Sequence, residues 1–247
     1  IGSAKIGKML ERNRLYRYLT DFGFGHPTEI DLPGEAGGLL REPSAWFEVD
    51  LAAIAFGQGM TTTPLQLARA AAAIANDGRL TTMPLVERVV NERGEVIEQR
   101  EPQTVRQVVS PEVARTVREM MSLVVDNGGT GTLASVPGFH VAGKTGTAQK
   151  VDPVTGGYSV DKRVASFVGM VPADAPQLLV VVEVDEPSKQ VYGGLVAAPV
   201  FSRITAQSLR YLKIPPTMPE AINPLPAMPL EEALPQPVQA LLEPVPE

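Results

Sequence analysis

The residues of this chain best suited to chemistry stand together at Lys144-Thr145-Gly146-Thr147. A lysine there places a positive charge near a nucleophile or a substrate carboxylate, and the Thr145 hydroxyl binds that carboxylate. Gly146 keeps the approach free of a side chain. The backbone N–H of Thr147 then serves as one donor to the oxyanion of a tetrahedral intermediate. Ala142, Gly143 and Ala148 flank the four residues, so another backbone can lie close along them. The pattern reads as an edge strand that receives an extended peptide. It also fits an ordinary strand that exposes a lysine and a threonine.

Other chemistries find little support. The chain has no cysteine, which excludes a disulfide framework and thiolate metal ligands. That absence is compatible with an oxidising, extracytoplasmic compartment. Two histidines, His26 and His140, are too few for a His-rich metal centre and read as packed or surface residues. No metal and no cofactor is expected. A net charge of −6 without a long like-charge run gives no basic footprint for nucleic acid.

The elements that must position the lysine strand follow from periodicity. Residues 1–25 read as a helix with Ile6, Met9 and Leu10 on one face, then Leu15, Leu19 and Phe22, ended by the glycines near Phe24. Residues 26–50 read as loop. Thr63-Pro64 supplies an N-cap and a first-turn proline for a helix burying Leu67, Ala71 and Ile74. Met83–Val90 and Glu95–Gln99 read as a hairpin around Asn91-Glu92-Arg93-Gly94. Ser110-Pro111 opens a further helix with Val113, Val117, Met121 and Val124 inward, closed by Asn127-Gly128-Gly129.

From about His140 the period changes to two. Strands are expected at 140–147, 164–171 and 178–185, with a long loop over 148–163 and a turn at Pro172–Pro176. A last helix from near Pro199 packs Phe201, Ile204 and Leu212. The longest aliphatic run, Leu178 to Val182, is strand-sized and too short to span a bilayer. At 247 residues the chain suits one large domain or a big piece of one. The fold class is α/β, of the α+β kind. The folded part is placed at residues 1–213, followed by a proline-rich acidic tail at 214–247 that is expected to lack packed structure.

A resemblance now joins these parts. Asp31-Leu32-Pro33-Gly34-Glu35-Ala36-Gly37-Gly38, Trp46, Ala55-Phe56-Gly57-Gln58-Gly59 and Thr63-Pro64-Leu65-Gln66-Leu67-Ala68 resemble blocks of class B penicillin-binding proteins. Ala75-Asn76-Asp77-Gly78, Gly129-Thr130-Gly131, the Lys144 block, and Tyr192-Gly193-Gly194 with Ala198-Pro199-Val200-Phe201 continue in the same order. The pattern leans toward the cell-division type rather than the elongation type.

The resemblance implies the penicillin-binding/β-lactamase-like fold, an antiparallel sheet with helices on both faces. It also implies serine acyl transfer on D-Ala-D-Ala stem peptides, carried by Ser-x-x-Lys, Ser-x-Asn and Lys-Thr-Gly motifs. Only the third is present in its place, so the chain is expected to be the C-terminal part of the transpeptidase domain. Ile1 would then follow the second motif, and the fragment alone would be inactive. The one Ser-x-x-Lys, Ser159-Val160-Asp161-Lys162, follows the Lys144 block and is rejected as the nucleophile.

By the same resemblance Lys144 is the catalytic residue of the set, and Thr145, Gly146, Thr147, Gln58 and Tyr192 bind substrate. Phe56 either lines the groove with Gln58 or packs in the core. Tyr192 either covers the groove or stabilises a turn. Gln149 stands where some relatives carry a basic residue. The implied partners are peptidoglycan stem peptides and β-lactams, with divisome membrane proteins through the parent protein. The implied location is the extracytoplasmic face of the membrane, anchored by a segment outside this chain. A non-catalytic scaffold or a β-lactam sensor domain of the same fold is the alternative.

Overall fold

The computed structural model describes residues 1–218, and the greater part of the expected proline-rich tail lies outside them. The central feature is a three-stranded antiparallel sheet of β5 (Ala142–Val151), β6 (Tyr158–Val171) and β7 (Leu178–Asp185), with β6 in the middle. Direct partners such as Thr145↔Phe167 and Phe167↔Val182 set the register. Because side chains alternate across a strand, this register divides the sheet into two faces.

One face carries Phe167, Val171 and Val182. It packs against α5 (Gly193–Val196) and α6 (Ala198–Tyr211) through Ala197, Ala198, Phe201 and Leu209. The Phe167 and Phe201 rings meet at 4.8 Å between centroids. The other face carries Ala142, Met170 and Leu179. It packs against α3 (Pro64–Ala75) and α4 (Pro111–Ser122) through Ile74, Ala75 and Met121. Helices therefore cover both faces, as the resemblance implies.

Caps follow the sequence closely. Thr63 Oγ1 accepts from the Gln66 N–H at 3.1 Å, and the Gln66 side chain returns a bond to the Thr63 N–H. Ser110 caps α4 in the same manner, accepting from the Val113 N–H.

The inward faces differ from expectation. In α3 the buried residues are Gln66, Arg69, Ala70 and Ala73, while Leu67, Ala71 and Ile74 are half-buried. In α4 they are Ala114 and Arg118, with Val113 exposed and Val117, Met121 and Val124 half-buried. Polar side chains are drawn inward because backbone carbonyls await them: Arg69 Nε donates to Thr81 O and Arg118 Nη1 to Ile74 O. In α6, Thr205 and Leu209 join Phe201 inside, while Ile204 and Leu212 are exposed.

Other elements also depart from the sequence reading. The first helix, α1 (Gly2–Asp21), leaves helical geometry at Glu11, and its Ile6 and Met9 are exposed. Gly7 is its buried residue, lying against Ala55 and Leu51 of the segment around α2 (Glu48–Ile54). That helix sits at the end of the span read as loop. Its start is marked by Glu48 and by Asp50, whose carboxylate accepts from the Phe47 N–H.

The expected hairpin is shorter, β2 (Arg88–Val90) with β3 (Val96–Gln99). A second pair, β1 (Arg79–Thr81) with β4 (Thr104–Gln107), joins residues too far apart in sequence for local periodicity to reveal. The loop expected over 148–163 is mostly strand, because β5 and β6 continue pairing out to Val151↔Tyr158. Past Lys213 the chain stays docked: Ile214 packs on the core, and the Met218 N–H donates to Gly138 O at 2.9 Å.

Candidate active site

The Lys144 block lies on β5, the outer strand of the main sheet, with its far edge unpaired among the described residues. Such an edge offers backbone donors and acceptors to an extended chain. Lys144 is exposed, and its Nζ donates to the carbonyl of Thr145 at 2.7 Å. The Thr145 and Thr130 hydroxyl oxygens are 2.9 Å apart and share a hydrogen bond. Thr147 Oγ1 accepts from the Gly193 N–H at 3.2 Å. Alternation puts Thr145 and Thr147 on the α5 side of the strand, and Lys144 and Gly146 on the other.

Two glycines bring α5 against this strand. A Cβ on Gly193 would run into the carbonyl oxygens of Ser166 and Gly146, and one on Gly194 into that of Thr130. Gly146 faces Ser166 across the ladder, and any side chain there would strike the Ser166 hydroxyl. The Lys-Thr-Gly glycine thus leaves room for the Ser166 hydroxyl as well as for free approach.

A cleft of about 590 Å³ opens beside the strand, lined in part by Gly146, Thr147, Gln149, Ser166, Gln58 and Glu183. Gln58 reaches it from a tight loop flanked by Gly57 and Gly59, both at positive φ, where a Cβ is disfavoured. Its Nε2 donates to Gln149 Oε1 at 3.4 Å, Gln149 Nε2 donates to Ser159 O, and the Tyr158 hydroxyl accepts from the Gly59 N–H. Burial, then the nearby Asp185 charge, pushes the Glu183 carboxyl above the ordinary glutamate range.

The structure brings Gln58, Gly146 and Thr147 to one cleft. Lys144, Thr145, Phe56 and Tyr192 do not line it, and the rings of Phe56 and Tyr192 are exposed. Tyr192 precedes α5, where its carbonyl accepts from the Leu195 and Val196 N–H groups. Ser159 lies on β6 with its hydroxyl turned to its own strand's backbone, accepting from the Lys162 N–H at 3.0 Å. Sequence reasoning did not single out Thr130, Ser166 and Glu183. Thr130 could have been found from the Gly129-Thr130-Gly131 block, whereas Ser166 and Glu183 become visible only through the register.

The remaining blocks are scaffold. The Glu35 carboxylate accepts from the Thr28 hydroxyl and from the Thr28 and Glu29 N–H groups, closing the loop around Pro33. Gln66, fully buried, donates from Nε2 to His26 O and Gly37 O at 2.7 Å each, which ties that loop to α3.

The model of the penicillin-binding protein transpeptidase domain matches residues 1–206. The chain belongs to this family. Within it the likeness is to the class B type. The chain is 36% identical over 220 residues to a probable peptidoglycan D,D-transpeptidase PenA of Neisseria flavescens, covering 89% of this chain and 52% of that protein. It is 39% identical to stage V sporulation protein D of Bacillus subtilis, covering 87% of this chain and 33% of that one.

Among solved structures, the transpeptidase domain of penicillin-binding protein 3 from Burkholderia pseudomallei superposes with a TM-score of 0.77. The two are 39% identical, covering 88% of this chain and 63% of that one. Penicillin-binding protein 3 of Mycobacterium tuberculosis, complexed with aztreonam, superposes at 0.80 with 34% identity, covering 87% of this chain and 50% of that one. The chain thus spans about a third to a half of the length of these curated relatives. The fold is that of the penicillin-binding transpeptidase, a family of peptidoglycan and cell-wall synthesis. Among the described residues no helix is long and apolar enough to cross a membrane.

Proposed function

We propose that this chain forms the substrate-carboxylate wall of a peptidoglycan D,D-transpeptidase, working with a serine nucleophile supplied by a segment outside it. The observation that carries the reading is Lys144-Thr145-Gly146-Thr147 on the outer strand, whose far edge is unpaired among the described residues, backed by Gly193 and Gly194. A D-Ala-D-Ala stem peptide lies antiparallel along that edge, its terminal carboxylate on the Thr145 hydroxyl and the positive field of Lys144. When the serine attacks the penultimate carbonyl, its proton leaves toward a basic partner and the carbonyl oxygen gains charge. The Thr147 N–H donates to that oxygen, and terminal D-alanine departs as the acyl-enzyme forms. An amine of a second stem then takes the acyl group.

β-Lactams enter by the same route as acyl donors. On this reading the working protein sits at the extracytoplasmic face of a membrane, anchored outside this chain and partnered with division proteins there. Gln58 holds the far wall of the groove.

The test is acylation by a fluorescent penicillin. The protein carrying this chain together with a Ser-x-x-Lys segment is labelled, and the 247-residue chain alone is not. Labelling of the chain alone, with the modified residue mapped to Ser159, would overturn the assignment of the nucleophile. A joined, folded protein that takes no label would support a scaffold instead.

A further inference from the structure

At the end of β5 away from Val151, two cavities meet. His140 lies four residues before Lys144, about 13 Å along an extended chain. The first cavity, about 410 Å³, is lined by Arg115, Arg118, Glu119, Ser122, His140 and Asp174, with Ala173. The second, about 500 Å³, shares Ser122 and His140 with it and adds an apolar wall that includes Val125, Val136, Phe139 and Met218. Volumes of this order hold small ligands or single residues of a partner.

Arg118 gives the pair its chemistry. Its side chain is 5% exposed, and Nη1 donates to Ile74 O and Asp77 Oδ1 at 2.9 and 3.2 Å. Its Nε is buried with no acceptor, and Nη2 makes no hydrogen bond among the described residues. The Nε is closed off from the cavity, so Nη2 is the donor left to meet a carboxylate there. Arg115, one turn earlier on α4, makes no ion pair among the described residues and adds a second positive charge. The acceptors at the rim are Glu119, Asp174 and Ser122, whose hydroxyl already donates to Glu119 O. They suit a neutral N–H rather than a second anion.

We propose that this paired cavity binds the carboxy-terminal residue of a peptide chain bearing an apolar side chain. The carboxylate meets Arg118 and Arg115. The backbone N–H is left to Asp174 or Ser122, and the side chain lies on Val125, Phe139 and Met218. An anion without an apolar body leaves the second cavity unfilled, and a doubly charged one meets Glu119 and Asp174.

The test is an NMR titration of the folded protein with N-acetyl-leucine, following the His140 ring signals. N-acetyl-leucine amide and N-acetyl-glycine serve as comparisons. The expected result is a His140 shift saturating with a dissociation constant on the order of 1–5 mM for the acid. Binding should be about ten-fold weaker or more for the amide and for the glycine compound. Arg115→Gln, on the exposed face of α4, should narrow the preference for acid over amide several-fold while keeping its thermal transition, and an unchanged preference counts against the proposal. Equal binding of acid and amide, or an unmoved His140 signal, overturns the proposal. So does a large gain in affinity on ending the chain at Met218, since the chain's own C-terminal segment would then be the occupant.

Discussion

The backbone N–H of Gly193 donates to the hydroxyl oxygen of Thr147 at 3.2 Å, joining residues 46 positions apart. It fixes α5 behind the strand that carries the Lys-Thr-Gly motif. The strand edge is therefore held from one side and left free on the other, as a peptide-binding edge requires.

Gly193→Ala tests that support. Its new methyl group meets the carbonyls of Ser166 and Gly146, so α5 must shift away from β5. Overpacking of this kind costs about 1–3 kcal/mol. Denaturant unfolding should show a loss of that size, with slower penicillin acylation in the complete protein. Unchanged stability would mean that α5 is not seated as described.

Gln66→Leu tests whether the Thr-Pro-Leu-Gln-Leu-Ala block is scaffold. The substitution leaves His26 O and Gly37 O without their donor in a buried position. Each unsatisfied buried group costs about 1–3 kcal/mol, so a loss of roughly 2–6 kcal/mol is expected in chemical denaturation. A loss under about 0.5 kcal/mol would contradict the clamp.

Glu35 makes a prediction about pH. Burial works to raise its pKa, but the hydrogen bonds from the Thr28 hydroxyl and from backbone N–H groups outweigh it, and the pKa is lowered. A depressed carboxyl contributes stability above its unfolded pKa and loses it as pH falls through the folded value. Wild type should therefore lose more stability than Glu35→Gln on acidification below about pH 4.5, the ordinary value. Parallel stability curves for the two proteins across that range would contradict it.

The sequence revealed the site strand and the capped helix starts because both depend on local signals. Thr63-Pro64 and Ser110-Pro111 mark caps by residue type alone, and period two marks β6 and β7. Helix faces were less legible. Arg118 and Gln66 look like surface residues until Ile74 O, His26 O and Gly37 O are known to lie beneath them. The β1–β4 pairing and the Gly193–Thr147 bond depend on distant partners, which periodicity does not carry. Residues 148–163 read as a loop, but the Gly59–Tyr158 and Gln149–Ser159 bonds hold the hairpin of β5 and β6 in shape.

The central claim rests on Lys144, and the most direct measurement is the second-order acylation constant of Lys144→Ala in the complete protein with penicillin. Loss of a positioned electrostatic or acid–base group commonly costs on the order of 10²-fold or more in rate. An exposed lysine without such a role changes stability by less than about 0.5 kcal/mol and leaves rates alone. The account predicts a drop of about 10²-fold or greater at an unchanged melting temperature. Near-wild-type acylation would contradict it and reduce Lys144-Thr145-Gly146-Thr147 to an ordinary strand.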